Sequence, residues 1–227
     1  MKKTAKIAFK DSLPVLAGYL VLGFGFGIML KAGGYGILLS FVMALTVYAG
    51  SGQYLAVGLL TGGASLFTAA LTTFMVNARH IFYGITMLDR YKKLGLRRFY
   101  LFFALTDETY SLVSRDDLGV EEDQKSDYYL LLTLFDHFYW ICGCVLGTVV
   151  GTLVKFDSRG IDFVLTALFV TLFIEQWMSA GKHLPALIGV FSTVVSLVIF
   201  GKDNMLIPAM ILIALLLCFM KEGDSND

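Results

Sequence analysis

Polar and ionisable side chains that could carry chemistry lie inside stretches of the sequence that are otherwise apolar. Three successive stretches hold them: Asn77, Arg79 and His80, then Asp107 and Glu108, then Asp136 and His137. A charge at the centre of a bilayer costs about 2.5 to 3.5 kcal/mol, so such residues usually line a solute pathway or pair with one another. The pattern indicates a membrane protein with a polar pathway through it.

Arg79 needs a partner, and two acids lie at a similar depth. It precedes Arg90 by 11 residues, which is about 16 Å along a helix. Asp107 follows Arg98 by nine residues, which is about 13 Å. The sequence therefore predicts an ion pair of Arg79 with Asp107 or Glu108. Two interpretations stay open: the pair fastens two helices, or one carboxylate exchanges a proton or meets a substrate amino group.

The remaining polar residues also allow two interpretations. Asn77 and His80 are three residues apart and share one face of a helix. Asp136 and His137 are adjacent, near the outer third of their span, where we expect water to reach them. A histidine beside an acid suits a proton relay, but a histidine in a membrane is as often only hydrogen-bonded structure.

Composition places the whole chain in a membrane. Hydrophobic residues make up 57% and aromatic residues 14%, and the mean hydropathy is +0.73, all high for a soluble domain. Lys plus Arg equals Asp plus Glu at 18 each, so the charge does not favour a nucleic-acid partner. Charged or Gly-rich breaks separate candidate spans at 12–31, 35–61, 64–88, 99–114, 128–154, 161–178, 184–200 and 204–220.

The distribution of positive charge predicts that residues 35–61 do not cross the membrane once. The N-terminus carries four lysines and the loop 89–98 carries five basic residues, so both belong on the cytoplasmic side by the positive-inside rule. A single crossing by 35–61 would separate them. We therefore expect this segment to enter and return as two half-helices, broken at residues 49–53, where glycine permits the break. The alternative is a long helix with a glycine packing face.

The same count completes a topology. It places 115–127, which carries six acids, outside, 155–162 inside and the C-terminus outside, unless 184–220 forms a second re-entrant pair. The fold prediction is an all-α, multi-pass membrane protein: one domain over 1–227, with about seven crossing helices, a re-entrant segment near 35–61 and a cytoplasmic N-terminus.

Glycines alternate with phenylalanine in the first span, at Gly23, Gly25 and Gly27. No strand precedes this string, so it does not predict a phosphate site. The small residues predict either close approach of another helix or a local unwinding. The sequence contains no nucleotide-binding motif, and we predict neither a cofactor nor a resident metal.

Several motifs together resemble the AzlC family, the large subunits of branched-chain amino acid exporters. They are Asp-Ser-Leu-Pro at 11–14, Tyr-Ala-Gly-Ser-Gly-Gln at 48–53, Val-Asn-Ala-Arg-His at 76–80, Leu-Thr-Asp-Glu-Thr-Tyr at 105–110, His-Phe-Tyr-Trp at 137–140 and Ile-Asp-Phe-Val-Leu-Thr-Ala-Leu-Phe at 161–169. The resemblance covers nearly the whole chain. It implies export of leucine, isoleucine, valine or related amino acids through a bacterial inner membrane, with a small hydrophobic AzlD-type partner.

The residues and the resemblance together suggest a mechanism without enzymatic chemistry. The broken segment binds the polar ends of a zwitterionic amino acid together with Asn77, through Gly50, Ser51, Gly52 and Gln53. Because no nucleotide site is present, the proton gradient is the expected energy source, with Asp107 or Glu108 as the proton carrier. Two alternatives remain: a passive amino acid or small-solute channel, and an intramembrane metalloenzyme built from His80, His137, Asp107, Glu108 and Asp136, which lack a recognisable ligand spacing.

Overall fold

The computed structural model describes residues 2–153, 170, 173–174, 177–178 and 183–223. Within these residues all regular structure is helical, which confirms the predicted all-α membrane class. The helices are α1 Lys2–Ala32, α2 Ile37–Thr46, α3 Gly50–Thr61, α4 Leu66–Asn77, α5 Arg79–Tyr91, α6 Arg97–Phe103, α7 Asp107–Val113, α8 Lys125–Leu153, α9 Leu184–Asn204 and α10 Leu206–Gly223, with a 3₁₀ turn at Glu122–Gln124. Helices long and apolar enough to cross a membrane are found, in the described ranges, at Lys2–Ala32, Glu122–Leu153 and Leu184–Gly201.

Two long helices, α1 and α8, form the axis of the first part of the chain and run parallel. At their beginnings Thr4 Oγ1 donates to Gln124 Oε1 at 2.9 Å, and further along Thr148 Oγ1 donates to the carbonyl of Gly27 at 3.2 Å. We call the end that holds residues 2–11, 90–98 and 115–127 the charged end. The end that holds residues 32–36, 61–65 and 153 is the opposite end.

Glycines bring α1 and α8 into backbone contact. A Cβ added at Gly143 would lie 2.6 Å from the carbonyl oxygen of Tyr19 and 3.2 Å from Gly23 Cα. Gly27 and Gly147, four residues further along each helix, face the backbone of the other helix in the same way. Pairs of small residues four apart are typical of close packing in membranes. Since α1 is one continuous helix, close approach is observed and the unwinding alternative is excluded.

Residues 37–61 enter from the opposite end and return to it, which confirms the predicted re-entrant segment. On the way in, Ser40 Oγ donates to the carbonyl of Cys144; on the way back, Thr61 lies beside Gly33. Helices of 10 and 12 residues reach only about 15 to 18 Å, half the thickness of a bilayer core. The break lies at residues 47–49, slightly before the predicted 49–53, and Tyr48 has a φ of 41°, a strained value for a bulky residue.

Residues 97–113 form a second re-entrant segment in place of the predicted crossing at 99–114. Its two helices have seven residues each, about 10 Å, and both outer ends lie at the charged end. At the start of α6, Arg97 pairs with Asp127 at 2.6 Å. Beyond the last residue of α7, Asp116 pairs with Arg90 at 2.9 Å. The Thr106 hydroxyl accepts a hydrogen bond from the Thr109 amide and so caps the start of a new helix at the break.

This second re-entrant segment corrects the predicted topology. The acidic segment 115–127 was expected on the side opposite the N-terminus, but Arg115 pairs with Asp11 at 3.4 Å, so both lie at the charged end. Helix α8 then finishes, at residue 153, at the opposite end. The prediction that 155–162 lies on the N-terminal side required it to finish at the charged end. Of the 13 Lys and Arg within residues 2–153, eleven are at the charged end, with Lys31 opposite and Arg79 between.

The crossing segment 66–91 is interrupted where the sequence predicts one helix over 64–88. At Ala78 the i→i−4 pattern gives way to i→i−3 bonds, from the Ala78 amide to Met75 and from the Ile81 amide to Ala78. Such tightening within a helix often marks a functional site or strain. Ala78 keeps right-handed helical angles (φ −55°, ψ −28°), and the predicted shared face of Asn77 and His80 stays a prediction.

The first 113 residues therefore repeat one topology with inverted orientation. Helix α1 crosses towards the opposite end, and α2 and α3 enter from that end. The α4–α5 pair crosses back, and α6 and α7 enter from the charged end. Inverted repeats with interrupted helices are the arrangement from which many secondary transporters build a site at the middle of the membrane.

The chain divides into two compact units, residues 1–164 and 165–227. In the second unit α9 and α10 pack against each other, and Gly201 adopts a φ of 73° near the end of α9. Because Leu184–Gly201 is long enough to cross a membrane, it favours a span over a re-entrant pair. The predicted span 161–178 and the segment 155–162 fall almost entirely outside the described residues. The prediction of a single domain over 1–227 stays a prediction.

Candidate functional site

The three helix interruptions meet at the middle of the α1–α8 pair. From the 47–49 break, the Tyr48 ring stacks on His137 of α8, with 4.1 Å between ring centroids. From the 104–106 break, Thr109 Oγ1 donates to Asp136 Oδ2 at 2.8 Å. The Ala78 interruption joins them through Arg79, described next. Breaks in three separate segments thus gather polar side chains and helix ends at mid-depth, where membrane proteins accept irregular backbone only around a cavity or buried contact.

The predicted partner of Arg79 is Asp107. Arg79 Nη1 lies 2.5 Å from Asp107 Oδ2, and both side chains keep about a third of their area accessible (35% and 33%). The second amino group of Arg79 donates to Ser51 Oγ at 3.0 Å, which connects all three interruptions. His80 is close, with Nε2 4.0 Å from Asp107 Oδ1, while its Nδ1 lies 3.0 Å from the carbonyl of Asn77.

The residues expected to bind substrate lie beside this ion pair. A Cβ added at Gly52 would lie 2.7 Å from Asn77 Nδ2, so the Asn77 amide packs on bare backbone. Gln53 is fully buried, and its Oε1 accepts from Trp140 Nε1 at 2.8 Å. Gly50 packs against the same Trp140 ring. The structure therefore groups Gly50, Ser51, Gly52, Gln53 and Asn77 in one cluster.

Several buried polar atoms of this cluster and of the residues around it have no hydrogen-bond partner in the described part of the chain. Two are donors, Gln53 Nε2 and Arg79 Nε, and two are acceptors, Asn77 Oδ1 and Asp107 Oδ1; the Tyr48 hydroxyl can act as either. Unpaired polar groups in a protein interior cost about 1 to 3 kcal/mol each. Unused donors and acceptors in one place give the cluster the capacity to bind a ligand that carries both charges.

Glu108 does not take part in the Arg79 pair. Its Oε2 accepts from the Tyr19 hydroxyl of α1 at 2.8 Å, and Tyr19 also contacts Thr106 Oγ1 at 2.6 Å. Asp136 is fully buried, with Oδ2 bonded to Thr109 and Oδ1 without a partner among the described residues. The two adjacent acids Asp107 and Glu108 therefore belong to separate networks.

His137 does not share a hydrogen bond with its neighbour Asp136. Its Nε2 lies 3.1 Å from the Ala44 carbonyl, which can only accept, so Nε2 carries a hydrogen. Its Nδ1 lies 3.0 Å from the Tyr100 hydroxyl, which donates to it when the ring is neutral. Both residues are buried rather than open to water near the outer third of the span. Their proposed relay role remains a prediction.

The site also contains residues that the sequence reasoning did not single out: Tyr19, Tyr48, Tyr100, Thr109 and Trp140. Aromatic and threonine residues are common throughout this chain, and their hydroxyls do not distinguish them within apolar stretches. Only the Thr106–Asp107–Glu108 string carries a signal, because Thr followed by two acids is typical of a helix start. Over the described ranges, no group of three or more His, Cys, Asp or Glu residues is arranged to hold a metal ion.

Comparison with known proteins adds independent evidence. The profile of the AzlC protein family matches residues 14–154. The "Branched-chain amino acid transport protein AzlC" of Bacillus subtilis is 39% identical over 215 residues, covering 95% of this chain and 84% of the relative. A membrane protein of Helicobacter pylori is 38% identical over 222 residues, covering 97% and 96%. The inner membrane protein YgaZ of Escherichia coli is 27% identical over 174 residues, covering 74% and 71%. No solved structure matches the chain.

Proposed function

The chain belongs to the AzlC protein family, and we propose that it is a secondary transporter that exports branched-chain or related hydrophobic amino acids. In this proposal it is the large subunit of a two-component permease in a bacterial inner membrane, with a small AzlD-type partner. The printed name of the Bacillus subtilis relative supports amino acid transport. The AzlD-type partner and the outward direction come from the family resemblance.

The observation that carries the proposal is the set of unused donors and acceptors where the helices are interrupted. Helix α3 starts at Gly50 without a side-chain cap, so its first amides and positive dipole end face the site. Together with Gln53 Nε2 they suit a carboxylate. The free oxygens of Asn77 and Asp107 suit an ammonium group. A zwitterionic amino acid presents these two groups one carbon apart.

Selectivity among apolar side chains is expected to be modest. One methylene group in an apolar pocket changes the binding free energy by about 1 to 3 kcal/mol. Leucine, isoleucine and valine differ by one methylene or less. The chain is therefore expected to bind all three amino acids. Their affinities should differ from one another far less than they differ from the affinity of a polar amino acid.

Energy for export comes, in this proposal, from the proton gradient. One charge moved across 100 mV is worth about 2.3 kcal/mol. Because Arg79 holds Asp107 in an ion pair, Glu108 is the better placed proton carrier of the two acids. The excess of Lys and Arg at the charged end supports a cytoplasmic N-terminus, with 115–127 on that same side.

The test is efflux of labelled leucine from preloaded cells that express the chain with and without an AzlD-type partner. We expect efflux that needs both chains and falls to the background rate when a protonophore collapses the proton gradient. Flux that follows the leucine gradient alone, unchanged by the protonophore, would indicate a passive channel. No leucine efflux under any condition would contradict the proposed substrate class.

A further inference from the structure

A continuous line of hydroxyl groups connects two carboxylates inside the membrane. Starting from Glu108, Oε2 is 2.8 Å from the Tyr19 hydroxyl, which is 2.6 Å from Thr106 Oγ1. Thr106 Oγ1 is 3.1 Å from Thr109 Oγ1, which is 2.8 Å from Asp136 Oδ2. Three of the separations are within the usual range of O–H···O hydrogen bonds, and the Thr106–Thr109 separation lies just beyond it. We call these five oxygens the hydroxyl chain.

The hydroxyl chain contains one hydrogen fewer than it needs. Its five oxygens make four contacts, but the two carboxylates have no hydrogen when both are ionised, and Tyr19, Thr106 and Thr109 supply one each. One contact would then bring two oxygens together with no hydrogen between them. If Thr106 donates to Tyr19, the contact without a hydrogen is the longest one, between the two threonine hydroxyls at 3.1 Å, and that hydrogen bond is lost. A fourth hydrogen makes all four contacts hydrogen bonds, and a carboxyl group is the available source.

We propose that Glu108 and Asp136 share a single proton through this hydroxyl chain. When the proton is on Glu108, Glu108 donates to Tyr19, Tyr19 to Thr106, Thr106 to Thr109, and Thr109 to ionised Asp136. Transfer moves one hydrogen across each of the four contacts, breaking and forming one O–H bond at every hydroxyl. Asp136 then holds the proton, every bond direction is reversed, and Glu108 is ionised. Each hydroxyl oxygen loses one hydrogen and gains another, and the total number of hydrogens and the total charge of the hydroxyl chain are unchanged.

The surroundings favour one negative charge on this chain and not two. Both carboxylates lie at mid-depth, where each additional charge is costly, and Arg79 is already paired with Asp107. The other titratable groups near the hydroxyl chain come from neighbouring elements and are neutral phenols or a histidine with an acceptor-bound Nε2: Tyr48, Tyr83, Tyr100 and His137.

The two ends of the chain differ in access, which gives the shared proton a direction. Glu108 is half-buried, whereas Asp136, on α8, is fully buried. A proton can therefore enter at Glu108 and be stored at Asp136, away from solvent. This interpretation rests on the proposed proton-coupled transport and names the groups that would carry the coupling. The proton sharing itself is a property of the resting protein that can be measured without any transport.

The test uses infrared spectroscopy of the purified full-length chain in neutral buffer, read at the carbonyl stretch of a protonated carboxyl group. We expect one such band in the native protein, shifted in deuterated buffer. Tyr19→Phe should abolish it although no carboxyl group is removed, because Thr106, Thr109 and Asp136 then need only the two threonine hydrogens. Glu108→Met should abolish it for the same reason, with three hydroxyl hydrogens for three contacts.

Matched controls separate this effect from general perturbation. Tyr91→Phe removes a buried hydroxyl, and Thr133→Val another, neither of which has a hydrogen-bond partner in the described part of the chain. Both variants should keep the band. A native protein without the band, or a band that persists in Tyr19→Phe or in Glu108→Met, would overturn the proposal. Because this measurement needs no substrate, loss of the band as expected together with absent leucine efflux would reject only the proposed function.

Discussion

Asp107→Asn is expected to destabilise the folded protein by about 3 kcal/mol, and a second change, Arg79→Gln, is expected to restore most of that loss. Removing one member of a buried ion pair leaves the other charge uncompensated, at about 3 to 5 kcal/mol, whereas removing both is often nearly neutral. The lower figure applies because each side chain keeps about a third of its area accessible. Thermal denaturation of the purified single and double variants measures the effect.

The matched control for this pair is Asp116→Asn. Asp116 is fully exposed and pairs with Arg90 at 2.9 Å, so its loss should change the stability far less than the loss of Asp107 does. The double variant should be folded but should not export leucine, because Asn77 and Gln53 would face a site without its charged groups. Equal stability of Asp107→Asn and Asp116→Asn would contradict a structural role for the central pair. Normal export by the double variant would remove both residues from the proposed mechanism.

Gly147→Ala is expected to cause a second large effect, on assembly of the α1–α8 axis. A Cβ at this position would lie 2.7 Å from the Cα and carbonyl carbon of Phe24, and backbone cannot move aside as a flexible side chain can. The helices must separate, which weakens the Thr148 bond to the Gly27 carbonyl. Overpacking of this kind costs about 1 to 3 kcal/mol, so a lower Tm and less folded protein in the membrane are expected.

Gly18→Ala, in α1, is the control for Gly147→Ala. Nothing lies within 4 Å of a Cβ added there, and Ala is a better helix former than Gly by about 0.8 to 1 kcal/mol. This variant should be as stable as the native protein or more so. If Gly147→Ala kept the native Tm, the backbone contact between α1 and α8 would be wrong.

The charge pattern made the first re-entrant segment predictable and hid the second. Two basic segments required 35–61 to cross zero or two times, and the contacts of Ser40 and Thr61 agree. For 99–114 the count assumed one crossing, which placed 115–127, with its six acids, on the outer side. Those acids instead neutralise basic residues on the same side: Asp116 pairs with Arg90 and Asp127 with Arg97. A rule that counts only Lys and Arg does not capture such pairing.

The sequence was enough to predict that Arg79 pairs with an acid, but not to predict the hydrogen-bond networks. Depth along two helices was enough to bring Arg79 towards Asp107. Separating Asp107 from Glu108 required the direction of α7, which Thr106 sets by capping it in mid-membrane. No glycine or proline lies beside Ala78 to indicate the interruption there. The roles of Tyr19 and Trp140 depend on contacts between residues about 90 positions apart, which periodicity along one helix does not reveal.

The inverted arrangement of the two re-entrant segments explains how one site is formed in the middle of the membrane. Each segment ends its first half-helix at mid-depth and begins its second there, so two sets of helix ends face one site from opposite directions. On one side Ser51 meets Arg79 and Gly52 meets Asn77, and on the other Glu108 reaches Tyr19. In this interpretation the first side binds the amino acid and the second binds the proton, with adjacent Asp107 and Glu108 linking them.

Binding of a zwitterionic amino acid by these interrupted helices is tested most directly by equilibrium binding of labelled leucine to the purified chain with its partner. Isoleucine and valine should displace it. 3-Methylbutylamine, which lacks the carboxylate, and 4-methylpentanoate, which lacks the amino group, should compete at least about ten-fold more weakly, since a hydrogen bond to a charged group is worth about 1.5 to 3 kcal/mol. Equal competition by either analogue would contradict recognition of both charged ends at this site.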